Sequence, residues 1–107
     1  MNKYEVMISD KANADMEAIY NYIAEALLAP GTAAKQYDRI ADAILSLEEM
    51  PERIRVMDSE PEHSQGLRPL IVDNYTIFFV LNLKDETVYI ARVLYSALDI
   101  SKRLSEK

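Results

Sequence analysis

Residues 67–95 read LRPLIVDNYTIFFVLNLKDETVYIARVLY, three apolar runs that two turn-forming segments separate. Each run is rich in β-branched or aromatic residues, which is the composition of β-strands. Asp73-Asn74 and residues 84–86 carry the polar residues that favour turns. The segment therefore predicts an antiparallel meander with strands at 67–72, 75–83 and 87–95.

Upstream of the meander, a short alternating segment leads into helical spacing. Residues 3–8 alternate polar and apolar side chains, which predicts a strand, and Ser9 or Asp10 can cap a following helix. That helix should end near Leu28, and its apolar stripe comprises Ala12, Met16, Ile19, Tyr20, Ile23 and Leu27. Pro30-Gly31 separates it from a second helix, whose stripe comprises Tyr37, Ile40, Ala41, Ile44, Leu45 and Leu47.

The remaining segments carry weaker signals. Met50-Pro51 should stop the second helix, and residues 52–66 predict mainly a loop with a short strand at 54–57. Ser96 and Asp99 match a capping box, which predicts a short C-terminal helix.

Together these elements predict a single α+β domain over residues 1–107. An N-terminal strand and a two-helix hairpin packed on a twisted antiparallel sheet, the β-meander, precede the short C-terminal helix. The hairpin should cover only one face of the sheet. Because Phe78 and Val80 alternate onto the other face, we expect that face to be partly open, apolar and in need of a partner.

Composition narrows the functional classes. The 107 residues include no cysteine, so a disulfide framework and thiolate metal sites are excluded. No apolar stretch is long enough to cross a bilayer and no signal peptide is recognisable, so we expect a soluble, cytoplasmic protein without a membrane partner. Twelve basic against eighteen acidic residues give a net charge of −6, which offers no general attraction to nucleic acid.

Arg92 stands out because it interrupts an apolar strand. Its structural interpretation is an arginine paired with a carboxylate, while Tyr95 would close the rim of the sheet. Strand alternation places Arg92 and Tyr95 on opposite faces unless a bulge intervenes. With a two- or four-residue last loop Arg92 falls opposite Phe79, and with a three-residue loop it shares the face of Phe78.

The other polar candidates have plain interpretations. His63 is expected to be an exposed loop residue, and the neighbouring carboxylates Asp58, Glu60 and Glu62 a solvated acidic loop without a metal. Nearby arginines should pair with the carboxylates around them, and this set comprises Arg53, Arg55 and Arg68 with Glu48, Glu49 and Glu52. No cofactor is expected.

The chain resembles the RelE/ParE superfamily of bacterial type II toxin-antitoxin systems over essentially its whole length. Four phrases in order carry the resemblance: Pro51-Glu52-Arg53, Gly66-Leu67-Arg68, Asn74-Tyr75 and Arg92-Val93-Leu94-Tyr95. The resemblance implies a growth-inhibiting toxin of an addiction module, of the kind that stabilises plasmids, neutralised by a cognate antitoxin. RelE-like members cut messenger RNA on the ribosome, whereas ParE-like members inhibit DNA gyrase.

The basic residues typical of the RelE-like nucleases are mostly missing here. Leu67 and Pro69 stand where lysines are expected, Thr76 where an arginine is expected, and the segment 96–98 lacks basic residues. Arg68 and Tyr95 remain as candidate catalytic residues of a metal-independent nuclease. As a target-binding surface, the candidates are Arg68, Arg92 and Tyr95.

These observations favour a ParE-like inhibitor of a protein target such as DNA gyrase. The alternatives are a RelE-like ribosome-dependent mRNA endonuclease and a degenerate member that binds an antitoxin without being toxic. The expected partners are the cognate antitoxin and either gyrase or the ribosome with its mRNA, with a homodimer or a hetero-oligomer with antitoxin as possible assemblies.

Overall fold

The structure, a computed structural model, describes residues 3–97. A strand, two helices and three further strands follow one another along the chain, with a π-helical turn (Tyr22–Ala26) ending the first helix and a 3₁₀ turn (Pro51–Arg53) after the second. The elements are β1 (Glu5–Ile8), α1 (Asp10–Asn21), α2 (Pro30–Ser46), β2 (Arg68–Val72), β3 (Tyr75–Asn82) and β4 (Thr87–Tyr95). The α+β class and the helical hairpin are therefore confirmed, and the predicted C-terminal helix lies outside the described residues.

The four strands form one mixed sheet in the order β1-β4-β3-β2. β2, β3 and β4 make the predicted antiparallel meander, with bounds within one residue of those expected. β1 lies parallel to β4, from Glu5 opposite Thr87 to Ile8 opposite Ile90. β4 is thus a central strand over its first half, and its inward residues there, Val88 and Ile90, are fully buried.

Local chemistry sets the ends of α1. The Ser9 hydroxyl accepts a hydrogen bond from the Ala12 amide, so of the two predicted cap residues Ser9 is the N-cap. At the other end the Leu27 amide donates to the Tyr22 carbonyl, five residues back, which defines the π turn. The extra residue in this turn rotates the chain, so Leu27 is exposed instead of joining the core as predicted.

The main core lies between the hairpin and one face of the sheet. Its fully buried members are Ala12, Met16, Ile40, Ile44, Leu47, Ile77, Phe79, Val88, Ile90 and Val93. Three residues predicted for the helical stripes, Tyr20, Tyr37 and Leu45, are instead exposed, because each helix contacts the sheet along a narrower strip than the sequence pattern suggests.

The second face of the sheet is partly covered by the chain itself, so the expectation of an open face is wrong at its centre. Phe78 is only 1% exposed and packs with Leu67 and Leu94, and Met57 lies against this cluster. The loop that precedes β2 reaches the cluster through a hydrogen bond from the Met57 amide to the Leu67 carbonyl. Apolar surface on the sheet thus persists mainly at its edges, as at Ile71, which is 70% exposed.

This covering loop differs from its prediction in two further respects. Residues 54–57 form no strand. Glu62 is buried, not solvated, and its carboxylate accepts a hydrogen bond from the Ser59 hydroxyl. A buried, hydrogen-bonded carboxylate helps to fix the loop against the sheet, because an unsatisfied one would be costly.

A bulge decides the register that the sequence left open. The last hairpin has a four-residue loop, since Asn82 pairs with Thr87, yet Arg92 pairs with Phe78 and not with Phe79. Phe79 pairs with Ile90, which leaves Ala91 as the extra residue on β4. The rule that a four-residue loop places Arg92 opposite Phe79 is therefore wrong here, because it assumed an unbroken ladder.

Within residues 3–97, no helix combines the length and apolarity that crossing a membrane requires.

We predict that Phe78→Ala lowers the free energy of unfolding by about 3–5 kcal/mol, because it empties a closed apolar site. The matched control is Ile71→Ala, which removes an exposed apolar side chain and should change stability by no more than about 0.5 kcal/mol. Urea denaturation followed by circular dichroism measures both. Equal small losses would show that the loop does not close over Phe78.

Candidate functional site

The candidate site lies where β4 outlasts its parallel neighbour. β1 ends at Ile8, opposite Ile90, whereas β4 continues to Tyr95. The Ser9 amide donates to the Ile90 carbonyl (3.0 Å) and the Ser9 hydroxyl to the Ala91 carbonyl (2.9 Å). One residue thereby caps α1 and also extends the hydrogen bonding along β4.

Asp15 also takes the place of a strand partner beside β4, beyond the end of β1. The Val93 amide donates to Asp15 Oδ2 at 2.9 Å, so a helix carboxylate satisfies a backbone donor of β4. The Arg92 guanidinium donates to the same carboxylate through Nε (2.8 Å to Oδ2) and Nη2 (2.9 Å to Oδ1). Both side chains are only 13% exposed.

This geometry confirms the structural interpretation of Arg92 as half of a carboxylate pair. A bidentate arginine-carboxylate contact, with two hydrogen bonds, fixes both side chains more tightly than a single hydrogen bond does. Since the pair is largely buried, its net contribution to stability is small, but removing one member leaves a buried charge uncompensated. Arg92 is thus committed to joining α1 to β4.

Tyr95 lies beside this ion pair, at an aromatic cavity of about 240 Å³ whose lining includes Asp15, Tyr22, Tyr75 and Tyr95. The Tyr75 and Tyr95 rings meet edge to face at 5.9 Å between centroids. Burial, together with the neighbouring Tyr95 and Tyr22 side chains, raises the pKa of Tyr75. Tyr95 is 46% exposed and Tyr22 is 59% exposed, so two aromatic side chains of the rim are open to a partner.

Arg68 is far from this cavity. Its Nη1 donates to the Ile54 carbonyl at 2.6 Å and more weakly to the Glu52 carbonyl, so its guanidinium holds the segment after the 3₁₀ turn. Arg68 pairs with Phe79, whereas Tyr95 pairs with Tyr75. These positions on β3 are four residues apart, roughly 13 Å along the strand. The structure therefore does not bring Arg68 and Tyr95 together.

The remaining polar candidates, His63, Arg53 and Arg55, contact groups close to them in the sequence. His63 is exposed, with its Nδ1 2.9 Å from the Met57 carbonyl oxygen. Arg53 donates to the Glu49 and Met50 carbonyls, and Arg55 lies 3.6 Å from Asp58. The predicted pairing of the three arginines with glutamate carboxylates is thus wrong, because backbone carbonyls and Asp58 take their place.

Among residues 3–97, no group of three or more possible metal ligands is present.

Sequence reasoning missed Asp15, the residue that organises this site. Asp15 lies three residues after Ala12 and four before Ile19, so its side chain falls on the apolar stripe of α1. A carboxylate on a buried helix stripe and an arginine in a buried strand are complementary signals. The sequence does not show that they meet, because 77 residues separate them.

We predict that Asp15→Ala lowers the free energy of unfolding by about 3–5 kcal/mol, because it removes the carboxylate that accepts hydrogen bonds from the buried Arg92 guanidinium and from the Val93 amide. Asp15→Asn should cost less, since an amide oxygen still accepts from Val93. The control is Asp42→Ala, which removes an exposed carboxylate and should change stability by about 0.5 kcal/mol at most. Chemical denaturation measures the free energy of unfolding of each variant. Equal losses of stability for Asp15→Ala and Asp42→Ala would contradict the role given to the Asp15-Arg92 pair.

Comparison with known proteins places the chain in a family. Residues 6–100 match the family described as "ParE toxin of type II toxin-antitoxin system, parDE". No curated protein sequence matches the chain significantly.

Three solved structures share the fold. The chromosomal ParDE system of P. aeruginosa is 23% identical, with a TM-score of 0.71 over 87% of this chain and 96% of that one. The RelBE2 toxin-antitoxin complex of Mycobacterium tuberculosis is 18% identical, with a TM-score of 0.62 over 87% of this chain and 98% of that one. The archaeal RelE-RelB complex of Pyrococcus horikoshii is 19% identical, with a TM-score of 0.58 over 89% and 97%. The resemblance found in the sequence is confirmed, and the chain belongs to the ParE toxin family of type II toxin-antitoxin systems.

Proposed function

We propose that this toxin acts by binding a protein, with DNA gyrase as the target, and that a cognate antitoxin neutralises it. The ParE family assignment favours gyrase over the ribosome. The structurally similar proteins come from ParDE, RelBE2 and RelE-RelB systems, which supports an antitoxin as partner.

One observation carries the preference for protein binding over RNA cleavage. Metal-independent cleavage at a ribose 2′-hydroxyl requires a base and cationic groups that converge on one phosphate. Here Arg92 is neutralised by Asp15, and Arg68 is bonded to backbone carbonyls about four strand positions from Tyr95. In the part of the chain from residue 3 to residue 97, the candidate groups support the fold separately and do not converge.

Tyr95 is the candidate that remains available for the target. Exposed tyrosines on a rigid support are frequent anchors of protein interfaces, because a large ring is buried at low entropic cost. Tyr95 and Tyr22 project from such a support, since the Asp15-Arg92 pair fixes α1 against β4 beneath them. In this proposal Tyr95 contacts the target and Arg92 positions the surface that carries Tyr95. Arg68 contributes indirectly, because it holds the segment after the 3₁₀ turn in place.

The antitoxin has its own apolar surface to cover. Leu27 and Leu28 at the tip of the hairpin are both exposed, and Leu28 is 84% exposed. A toxin that must be held inactive until needed gains from contacts of this kind, because buried apolar area gives affinity. The sheet edge at Ile71 offers a second such contact.

The direct test compares two activities of the purified toxin. Gyrase is assayed for supercoiling of relaxed plasmid, and translating ribosomes are assayed for codon-positioned cleavage of messenger RNA. We expect loss of supercoiling, relieved by antitoxin, and intact messenger RNA. Codon-positioned cleavage that disappears in Arg68→Ala, with the variant still folded, would overturn the proposal in favour of a nuclease. A toxin that binds antitoxin but neither inhibits supercoiling nor cleaves messenger RNA would overturn the target assignment.

We predict that Tyr95→Ala weakens gyrase inhibition by about tenfold, the change expected for one interface anchor worth about 1.4 kcal/mol. Tyr95→Phe should retain most of the inhibition, because the ring and not the hydroxyl makes the contact, whereas acid-base chemistry would need the hydroxyl. Tyr89→Ala is the matched control, since Tyr89 is a similarly exposed tyrosine on β4. Dose-response curves of supercoiling give the three values, and equal losses for Tyr89→Ala and Tyr95→Ala would contradict a local contact.

A further inference from the structure

A second cleft lies between the two helices, separate from the aromatic cavity at Tyr95. Its volume is about 370 Å³, and it is lined by Asn13, Glu17 and Tyr20 of α1 and by Tyr37 of α2. The two tyrosine rings meet at right angles, with 6.3 Å between their centroids. All four side chains are exposed. The sequence assigned both tyrosines to the core, whereas in the structure both line this open cleft.

Glu17 is the charged member of this cleft. It follows Asn13 by four residues and precedes Tyr20 by three, so the three side chains share one face of α1. Across residues 3–97, the Glu17 carboxylate forms no hydrogen bond and no ion pair. An unpaired carboxylate next to two aromatic rings is an arrangement that attracts cations, since the faces of the rings are also negative.

The surrounding hairpin has the same sign of charge. Residues 10–46 contain six acidic and three basic residues, a net charge of −3 and half of the −6 of the whole chain. Arg92 neutralises Asp15 and Asp73 neutralises Arg39 from outside this segment, which removes one charge of each sign and leaves −3. The field over the cleft therefore favours a basic partner and raises its rate of association.

We propose that this cleft receives an arginine side chain of the antitoxin. The planar guanidinium can pair with the Glu17 carboxylate through two N–H groups while it stacks on a tyrosine ring, a combination that lysine cannot reproduce. The choice of antitoxin as the source of this arginine rests on the proposed function, whereas the selectivity of the cleft for a guanidinium does not.

Other occupants fit the cleft less well. An apolar side chain would desolvate the Glu17 carboxylate without pairing it. A second copy of the chain, docked through the same surface, would bring two hairpins of charge −3 together. A nucleic-acid backbone would meet like charge.

The first experiment tests the cleft itself on the full chain. N-acetyl-arginine amide is titrated while the tyrosine ring signals are followed by NMR, and N-acetyl-citrulline amide serves as the uncharged analogue of the same shape. We expect saturable shifts of the Tyr20 and Tyr37 signals with the arginine compound only, reduced at least fivefold in affinity by Glu17→Gln, because the ion pair is lost. Equal responses to both compounds, or none to arginine, would overturn the proposal.

The second experiment tests the occupant. The protein encoded next to the toxin gene, as the candidate antitoxin, is titrated by calorimetry against wild type, Glu17→Gln and Asp42→Asn, the last being the control for loss of one exposed hairpin carboxylate. We expect about tenfold weaker binding for Glu17→Gln and a change of less than about twofold for the control. Replacing one antitoxin arginine by glutamine should then have a large effect on the wild type and little on Glu17→Gln.

The two experiments separate failure of this inference from failure of the proposed function. Equal effects of Glu17→Gln and Asp42→Asn would mean that only total charge matters and would overturn the antitoxin arginine as occupant. If the adjacent protein does not bind the wild type at all, the assignment of the antitoxin as partner fails instead, while the arginine titration still decides whether the cleft selects a guanidinium.

Discussion

The fold depends on how the long central strand is completed where its parallel neighbour stops. β4 runs five residues past Ile90, and without β1 beside it the backbone donors and acceptors on that edge would need other partners. Ser9, the cap of α1, and Asp15 on α1 supply these hydrogen-bond partners, and Arg92 forms an ion pair with Asp15. The first helix is therefore attached to the sheet by polar contacts at its start as well as by apolar packing along its length.

This requirement also explains why the arginine is not available for chemistry. A charged residue in an apolar strand attracts a functional interpretation, but the carboxylate that it faces is one that already accepts from the backbone. Arg68 shows the same pattern on the edge strand β2, where it holds the segment after the 3₁₀ turn. Both cations stabilise connections between elements, and the exposed surface is left to tyrosines and leucines.

The sequence predicted the meander closely because its three runs have strand composition and turn residues between them. It also predicted a helix cap at Ser9 or Asp10, and Ser9 takes this role through a hydroxyl and an amide three residues apart. It did not predict the parallel pairing of β1 or the burial of Phe78 under the loop, because both depend on contacts between segments distant in the chain. The bulge at Ala91 likewise has no local signal, and a single extra residue moves Arg92 from the position opposite Phe79 to the position opposite Phe78.

The π turn at Tyr22–Ala26 sets the direction in which the side chains of the hairpin tip point. It contains one residue more than an α-helix would need, so deletion of one residue there would turn every later side chain of the tip by about 100°. Ile23 stays buried within the turn and anchors it, while Leu27 and Leu28 lie beyond it. Deletion of one codon there would therefore re-aim the two exposed leucines, and with them the apolar surface that the hairpin tip presents to a partner.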